Sequence, residues 1–126
     1  MKLRALIVDD SRVMRNMVIQ SLERAKLASF EFTQAEDGLD ALDKYDPEMI
    51  DIIFADINMP NMDGIDFVTK VRQMKNGSDI PIIMITSEKT VGKMEAALDV
   101  AGANTYICKP FTVDELRWKV GKLIGK

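Results

Sequence analysis

Ile50-Asp51-Ile52-Ile53-Phe54-Ala55-Asp56-Ile57-Asn58-Met59-Pro60 decides the fold. Residues 50–55 are apolar apart from Asp51, and the run stops at an acid, Asp56. A strand with one wet face alternates apolar and polar residues, whereas a near-continuous apolar run indicates a strand covered on both faces, as in a parallel sheet. Two further runs share this form. Residues 5–8 lead into Asp9-Asp10, and residues 80–85 lead into Thr86-Ser87-Glu88. Weaker strands are expected near residues 30–35 and 104–108.

Helical spacing fills the intervals. Val13, Met14, Met17, Val18 and Leu22 recur at the period of a helix, with Ser11 placed to cap its start. Ile65, Val68, Val71 and Met74 repeat the pattern, as do Val91, Met94, Ala97, Leu98 and Ala101. A last helix is expected from about Val113, with Leu116, Val120 and Leu123 on one side, and a shorter one over residues 39–45. Turn pairs separate the pieces: Asp37-Gly38, Asp63-Gly64, Asn76-Gly77, Ala101-Gly102 and Lys109-Pro110. Strand and helix thus alternate five times. This predicts an α/β fold, a doubly wound five-stranded parallel sheet with helices on both faces. Right-handed crossovers then restrict the topology. With 126 residues and no linker or repeat, residues 1–126 are expected to form one domain.

Composition narrows the function. The net charge is −3 with no block of Lys and Arg, so direct nucleic-acid binding is not expected. No apolar run approaches the ~20 residues that span a bilayer, and no export signal is expected at the start. Cys108 is the only cysteine, which rules out an intrachain disulfide and fits a reducing cytoplasm. Histidine is absent, so phosphohistidine, a His base and a His metal ligand are all excluded, and a metal must be held by oxygen or by the lone thiol.

Ligands of open α/β sheets bind outside the carboxyl ends of the strands. Asp9, Asp10, Asp56, Thr86 and Lys109 all fall at such ends. Each alone has an ordinary reading: a helix cap for Asp9-Asp10-Ser11, a solvated strand end for Asp56, a strand residue for Thr86, a loop lysine for Lys109. Together they place three carboxylates at one edge, where mutual repulsion demands a counter-charge. Magnesium, which prefers carboxylate, water and phosphate oxygens, would supply it.

The ordered set Val8-Asp9-Asp10-Ser11, Asp56-Ile57-Asn58-Met59-Pro60, Met62-Asp63-Gly64, Ile85-Thr86-Ser87-Glu88, Ala101-Gly102-Ala103 and Tyr106-Ile107-Cys108-Lys109-Pro110-Phe111 resembles the receiver domains of two-component signalling, in particular the CheY-like chemotaxis receivers. The resemblance spans nearly the whole chain and implies a flavodoxin-like fold. It implies that Asp56 is the phospho-acceptor and that Asp9 and Asp10 hold Mg2+, Asp10 directly and Asp9 largely through water. Asn58 would add its backbone carbonyl to the metal. Thr86 would be the switch hydroxyl, Lys109 the cation that pairs with phosphoryl oxygen, and the Lys109-Pro110 bond would be cis. Phosphorylation would draw Thr86 inward, with Tyr106 filling the vacated space. The surface of the fourth helix, fifth strand and fifth helix would change, with Lys89, Met94, Tyr106, Cys108 and Lys119 as contact residues. Asn58 and Glu88 resemble the pair that tunes water access in fast-cycling members, which implies self-dephosphorylation on the order of seconds to a minute.

The resemblance further implies a cytoplasmic, monomeric signalling switch rather than a conventional enzyme. Its donor would be a histidine kinase or phosphotransfer protein, and its output protein one such as the flagellar motor switch. Two departures stand out. The segment from Thr86 to Gly102 is one residue longer than the familiar pattern, as a longer loop or a bulge in the fourth helix. Ile57 replaces an aromatic residue beside the acceptor, so Trp118 is not expected to report metal binding strongly. Other readings are a phosphorelay or phosphate-sink receiver, and a phosphorylation-independent adapter, which usually lacks an acid or the lysine. A phosphohydrolase of the haloacid-dehalogenase kind, with Asp9 as nucleophile, would carry an acid where Ser11 stands. A transcriptional regulator would need an attached DNA-binding domain.

Overall fold

The computed structural model describes residues 1–74 and 77–125; Asn76 of the expected Asn76-Gly77 turn lies outside them. Five strands alternate with five helices: β1 Lys2–Val8, α1 Arg12–Ala25, β2 Ser29–Ala35, α2 Gly38–Lys44, β3 Ile52–Ala55, α3 Gly64–Gln73, β4 Ile82–Thr86, α4 Val91–Glu95, β5 Thr105–Cys108 and α5 Val113–Leu123. The strands are all parallel, in the order β2-β1-β3-β4-β5. The order reverses between β1 and β3, which makes the carboxyl ends of those two strands the switch point where such sheets bind ligands.

The sheet separates two cores, which explains the continuous apolar runs. On one face Leu6, Val8, Ile53, Ala55, Ile82 and Met84 pack with Phe67, Val68 and Val71 of α3. On the other, Ala5, Ile7, Ile52, Phe54, Ile83 and Ile85 pack with Val18 and Leu22 of α1 and Leu116 and Val120 of α5. Alternate residues of one strand therefore serve opposite cores, and both sets must be apolar.

Asp51, the one polar break in the opening run, is explained at the other end of the sheet. Its carboxylate takes Arg4 Nε and Nη2, each at 3.0 Å, and the Arg4 backbone N–H at 2.8 Å. Ile50 and Ile80 are buried but precede their strands: the Ile50 N–H is spent on Asp46 O, and Pro81 has no N–H for the ladder. Ser11, Asp37, Asp63 and Thr112 cap α1, α2, α3 and α5 by accepting from the backbone three residues on.

Three packing expectations are corrected. Val13 and Met17 are exposed, because α1 turns Val18, Leu22 and Ala25 inward instead. Met74 ends α3 in an extended conformation, bonded back to Val71 O, rather than extending its apolar stripe. Val91 is also exposed, since α4 runs as α-helix only to Glu95 and continues as a π-helical turn, Ala96–Val100. Within it Ala101 N–H reaches Ala96 O, an i to i−5 bond. A π-turn is a bulge within a helix, and one lies in the fourth helix, where an added residue was one of the two placements expected.

Candidate functional site

The site is built by strand ends. β1 delivers Asp9, 4% exposed, and Asp10, which faces solvent. β3 delivers Asp56, 7% exposed, β4 ends on the fully buried Thr86, and β5 leads to Lys109. Backbone bonds lock these ends together: Asp56 N–H to Val8 O at 2.9 Å, Lys109 N–H to Thr86 O at 2.9 Å and Asp9 N–H to Ala35 O at 3.1 Å. The Lys109–Pro110 peptide is cis.

Lys109 Nζ lies 2.7 Å from Asp9 Oδ2 and 3.3 Å from Asp56 Oδ2. Burial pulls its ammonium down, but the hydrogen bond it donates to Asp9 and the charges of Asp56 and Asp9 outweigh it and hold the pKa above the usual lysine value. The other Asp9 oxygen accepts from Ser11 N–H at 2.9 Å, and Asp56 Oδ1 from Ile57 N–H at 2.7 Å. Asp10 has no side-chain hydrogen bond among the described residues. Carboxylate oxygens of Asp9, Asp10 and Asp56 lie within 4.8 Å of one another. One ammonium pairs with two of three clustered carboxylates, so a hard divalent cation fits the donor set by both charge and ligand type.

Asn58 and Glu88 flank this edge and bond to each other, Asn58 Nδ2 donating to Glu88 Oε2 at 3.1 Å. Lys93 of α4 joins them, 3.4 Å from Asn58 Oδ1 and 3.7 Å from Glu88 Oε2. The hydrogen bonds from Thr90 and Asn58, with the Lys93 charge, pull the Glu88 carboxyl down to about 2. Glu88 is also tied by its backbone. Its N–H donates to Thr86 Oγ1 at 3.2 Å, and its carbonyl accepts the Tyr106 hydroxyl. Tyr106 is buried, and that burial, with the neighbouring Cys108, Glu88 and Asp56, pushes its phenol up to about 12.

Of the expected surface residues, Lys89 is exposed, Met94 and Cys108 pack partly against the core, and Lys119 Nζ is held by Tyr106 O at 2.7 Å. Sequence reasoning missed Arg15, whose guanidinium braces Asp9 O at 2.6 Å and Gln34 Oε1 at 2.9 Å. It also missed Lys93 and Asn61. Arg15 and Lys93 are surface cations at helical spacing, and nothing in their local pattern marks them.

Residues 5–121 match the response regulator receiver domain family. The chain belongs to that family. This receiver is 40% identical over 124 residues to the chemotaxis protein CheY1 of Helicobacter pylori, covering 98% of either chain. In structure it is similar to the chemotaxis response regulator CheY4 of Vibrio cholerae, with a TM-score of 0.85 and 33% identity over 98% of this chain and 99% of that one. It is also similar to the receiver domain of the sensor histidine kinase PA1611 from Pseudomonas aeruginosa, with a TM-score of 0.84 and 29% identity over 100% of both chains. That domain has a magnesium ion coordinated in its active-site cleft. The receiver described here is thus CheY-like in sequence and fold, a signalling module of two-component systems. Among the described residues no helix is long and apolar enough to cross a membrane.

Proposed function

We propose that residues 1–126 act as one receiver domain that takes a phosphoryl group on Asp56 in a magnesium-dependent reaction and changes its α4-β5-α5 surface in response. The observation that carries this reading is the Lys109 ammonium, 2.7 Å from Asp9 and 3.3 Å from Asp56, with Asp10 beside them. A carboxylate oxygen of Asp56 attacks phosphorus, the bond from phosphorus to the donor's imidazole nitrogen or acyl oxygen breaks, and an acyl phosphate forms. Asp10, Asp56 and the Asn58 backbone carbonyl would hold Mg2+, and Asp9, whose oxygens already serve Ser11 and Lys109, would act from behind them. Bound there, the ion neutralises charge on the transferring phosphoryl oxygens. Lys109 is a movable point charge that can leave Asp56 Oδ2 for a phosphoryl oxygen.

The switch begins at Thr86. Its hydroxyl oxygen accepts Glu88 N–H, so movement of Thr86 toward the phosphoryl group would pull on Glu88, which is bonded in turn to Tyr106, Asn58 and Lys93. With Tyr106 already inside, the two conformations differ in the partner of the Thr86 hydroxyl and, through Glu88, in the α4-β5-α5 surface tied to it. Phosphorylation shifts their populations through that difference in contacts. The donor is a histidine kinase or phosphotransfer protein in the cytoplasm. Similarity to the Helicobacter CheY1 favours a chemotaxis output, with the flagellar motor switch as partner and this receiver as a monomer.

Intact-mass measurement after incubation with Mg2+ and acetyl phosphate tests the reading. One added phosphoryl group is expected on the wild type, none on Asp56→Asn and none without magnesium. Loss of the adduct within about a minute of donor removal supports the Asn58 and Glu88 roles, and a half-life of hours refutes them. Absence of both an adduct and magnesium-dependent phosphate release puts the adapter reading first.

A further inference from the structure

Residues 57–63 follow the acceptor strand and carry Asn58, and their far end is tied to a different part of the chain. Asn61 lies in the left-handed region at φ 67°. Its Nδ2 donates to Asp37 Oδ2 at 2.7 Å. Asp37 is 6% exposed, and its other oxygen accepts Asp40 N–H at 2.7 Å as the cap of α2. A backbone bond runs alongside, Gly38 N–H to Met62 O at 3.0 Å. The approach is so close that a Cβ on Gly38 would sit 2.7 Å from that carbonyl oxygen. At the near end Gly64 N–H bonds Ile57 O at 2.8 Å, and a Cβ on Gly64 would fall 1.9 Å from Asp56 O. The segment is therefore held at both ends, with Asn58 between the clamps.

We infer that Asp37 and Asn61 are positioning residues for the metal site: their bond fixes the segment that presents the Asn58 backbone carbonyl beside Asp10 and Asp56. Capping α2 requires only one oxygen of Asp37. The second oxygen, buried and charged, is spent on Asn61. A charge-assisted bond is among the stronger and shorter kinds, and Asn is one of the few side chains that tolerates the left-handed backbone found here. Outer partners bonded directly to a metal ligand typically change metal binding 10–100-fold when lost, and this pair, acting on Asn58 through the segment, belongs at the low end of that range. The inference rests on the proposed magnesium site.

The test is a magnesium chloride titration followed by NMR at the backbone amides of Asp10, Asn58 and Met59. Asn61→Gly keeps the left-handed backbone accessible, the Asp37 charge and the α2 cap, and removes only the tie. It is expected to bind magnesium on the order of tenfold more weakly than wild type, with phosphorylation from acetyl phosphate recovering at saturating magnesium. The exchanged pair Asp37→Asn with Asn61→Asp reverses donor and acceptor at unchanged net charge, and is expected to bind within about twofold of wild type. Wild-type affinity in Asn61→Gly overturns the inference, as does an exchanged pair that binds as weakly as Asn61→Gly. Failure of the wild type itself to bind magnesium instead overturns the metal site proposed above, so the two failures are distinguishable.

Discussion

The two edges of the sheet hold charge in opposite ways. At the amino-terminal edge the half-buried charges are satisfied from within the fold. Arg4 and Asp51 form a two-pronged pair with both bonds at 3.0 Å. Arg72 of α3 donates to Gly102 O at 3.0 Å, Gly77 O at 2.9 Å, Ile80 O at 2.7 Å and Asn104 Oδ1 at 2.9 Å, joining three chain segments. At the carboxyl edge one lysine pairs with Asp9 and Asp56, and Asp10 beside them has no cation partner among the described residues. The first arrangement satisfies itself and adds stability. The second is left with excess negative charge and an exposed Asp10, which suits a site completed by a cation and an incoming phosphoryl group. Perturbed charge marks function here only where it is unbalanced.

Exchanging damage between the edges gives the largest expected effects. Asp56→Asn should abolish the phosphoryl adduct while changing unfolding stability by less than about 1 kcal/mol, since it relieves crowding among acids. Arg72→Met should do the reverse. It strands three carbonyls and costs about 2–4 kcal/mol in urea denaturation, while the folded fraction is still phosphorylated. A variant that lost both properties would break the comparison.

Magnesium should act on one edge alone. At tenfold above its dissociation constant it should add about 1.4 kcal/mol to stability, read as a raised melting temperature. The rise should vanish in Asp10→Asn and persist in Arg72→Met. The smallest effect is the titration of Glu88. Its carboxyl is pulled from 4.5 to about 2 by Thr90, Asn58 and Lys93. A depressed acid favours the folded state above its ordinary value, and that contribution is lost as pH falls through its folded value. The window is therefore between about 4.5 and about 2. Carbon-13 NMR of the Glu88 carboxyl should give a midpoint near 2, moved upward in Asn58→Ala.

Much of the fold was legible because each buried strand announces itself. Residues 5–8, 52–55 and 82–85 are apolar on both faces, and the polar residues that stop them form the candidate site. The juxtaposition of Asp9, Asp10, Asp56, Thr86 and Lys109 followed from that rule alone. Helix faces were less legible. Val13, Met17 and Val91 fit a helical period yet face solvent, because periodicity finds a stripe without saying which of two neighbouring stripes meets the sheet. The clamp of Asn61 on Asp37 was invisible, since it joins two turns 24 residues apart and depends on a left-handed backbone that composition does not reveal.

The central claim is that Asp56 is the nucleophile. Sodium borohydride reduces an aspartyl phosphate to homoserine, so reduction of the freshly phosphorylated protein followed by peptide mass mapping locates the acceptor. Homoserine in place of Asp56 alone is the predicted result. Homoserine in place of Asp9 or Asp10, or a phosphoryl adduct with no homoserine at all, would contradict the account.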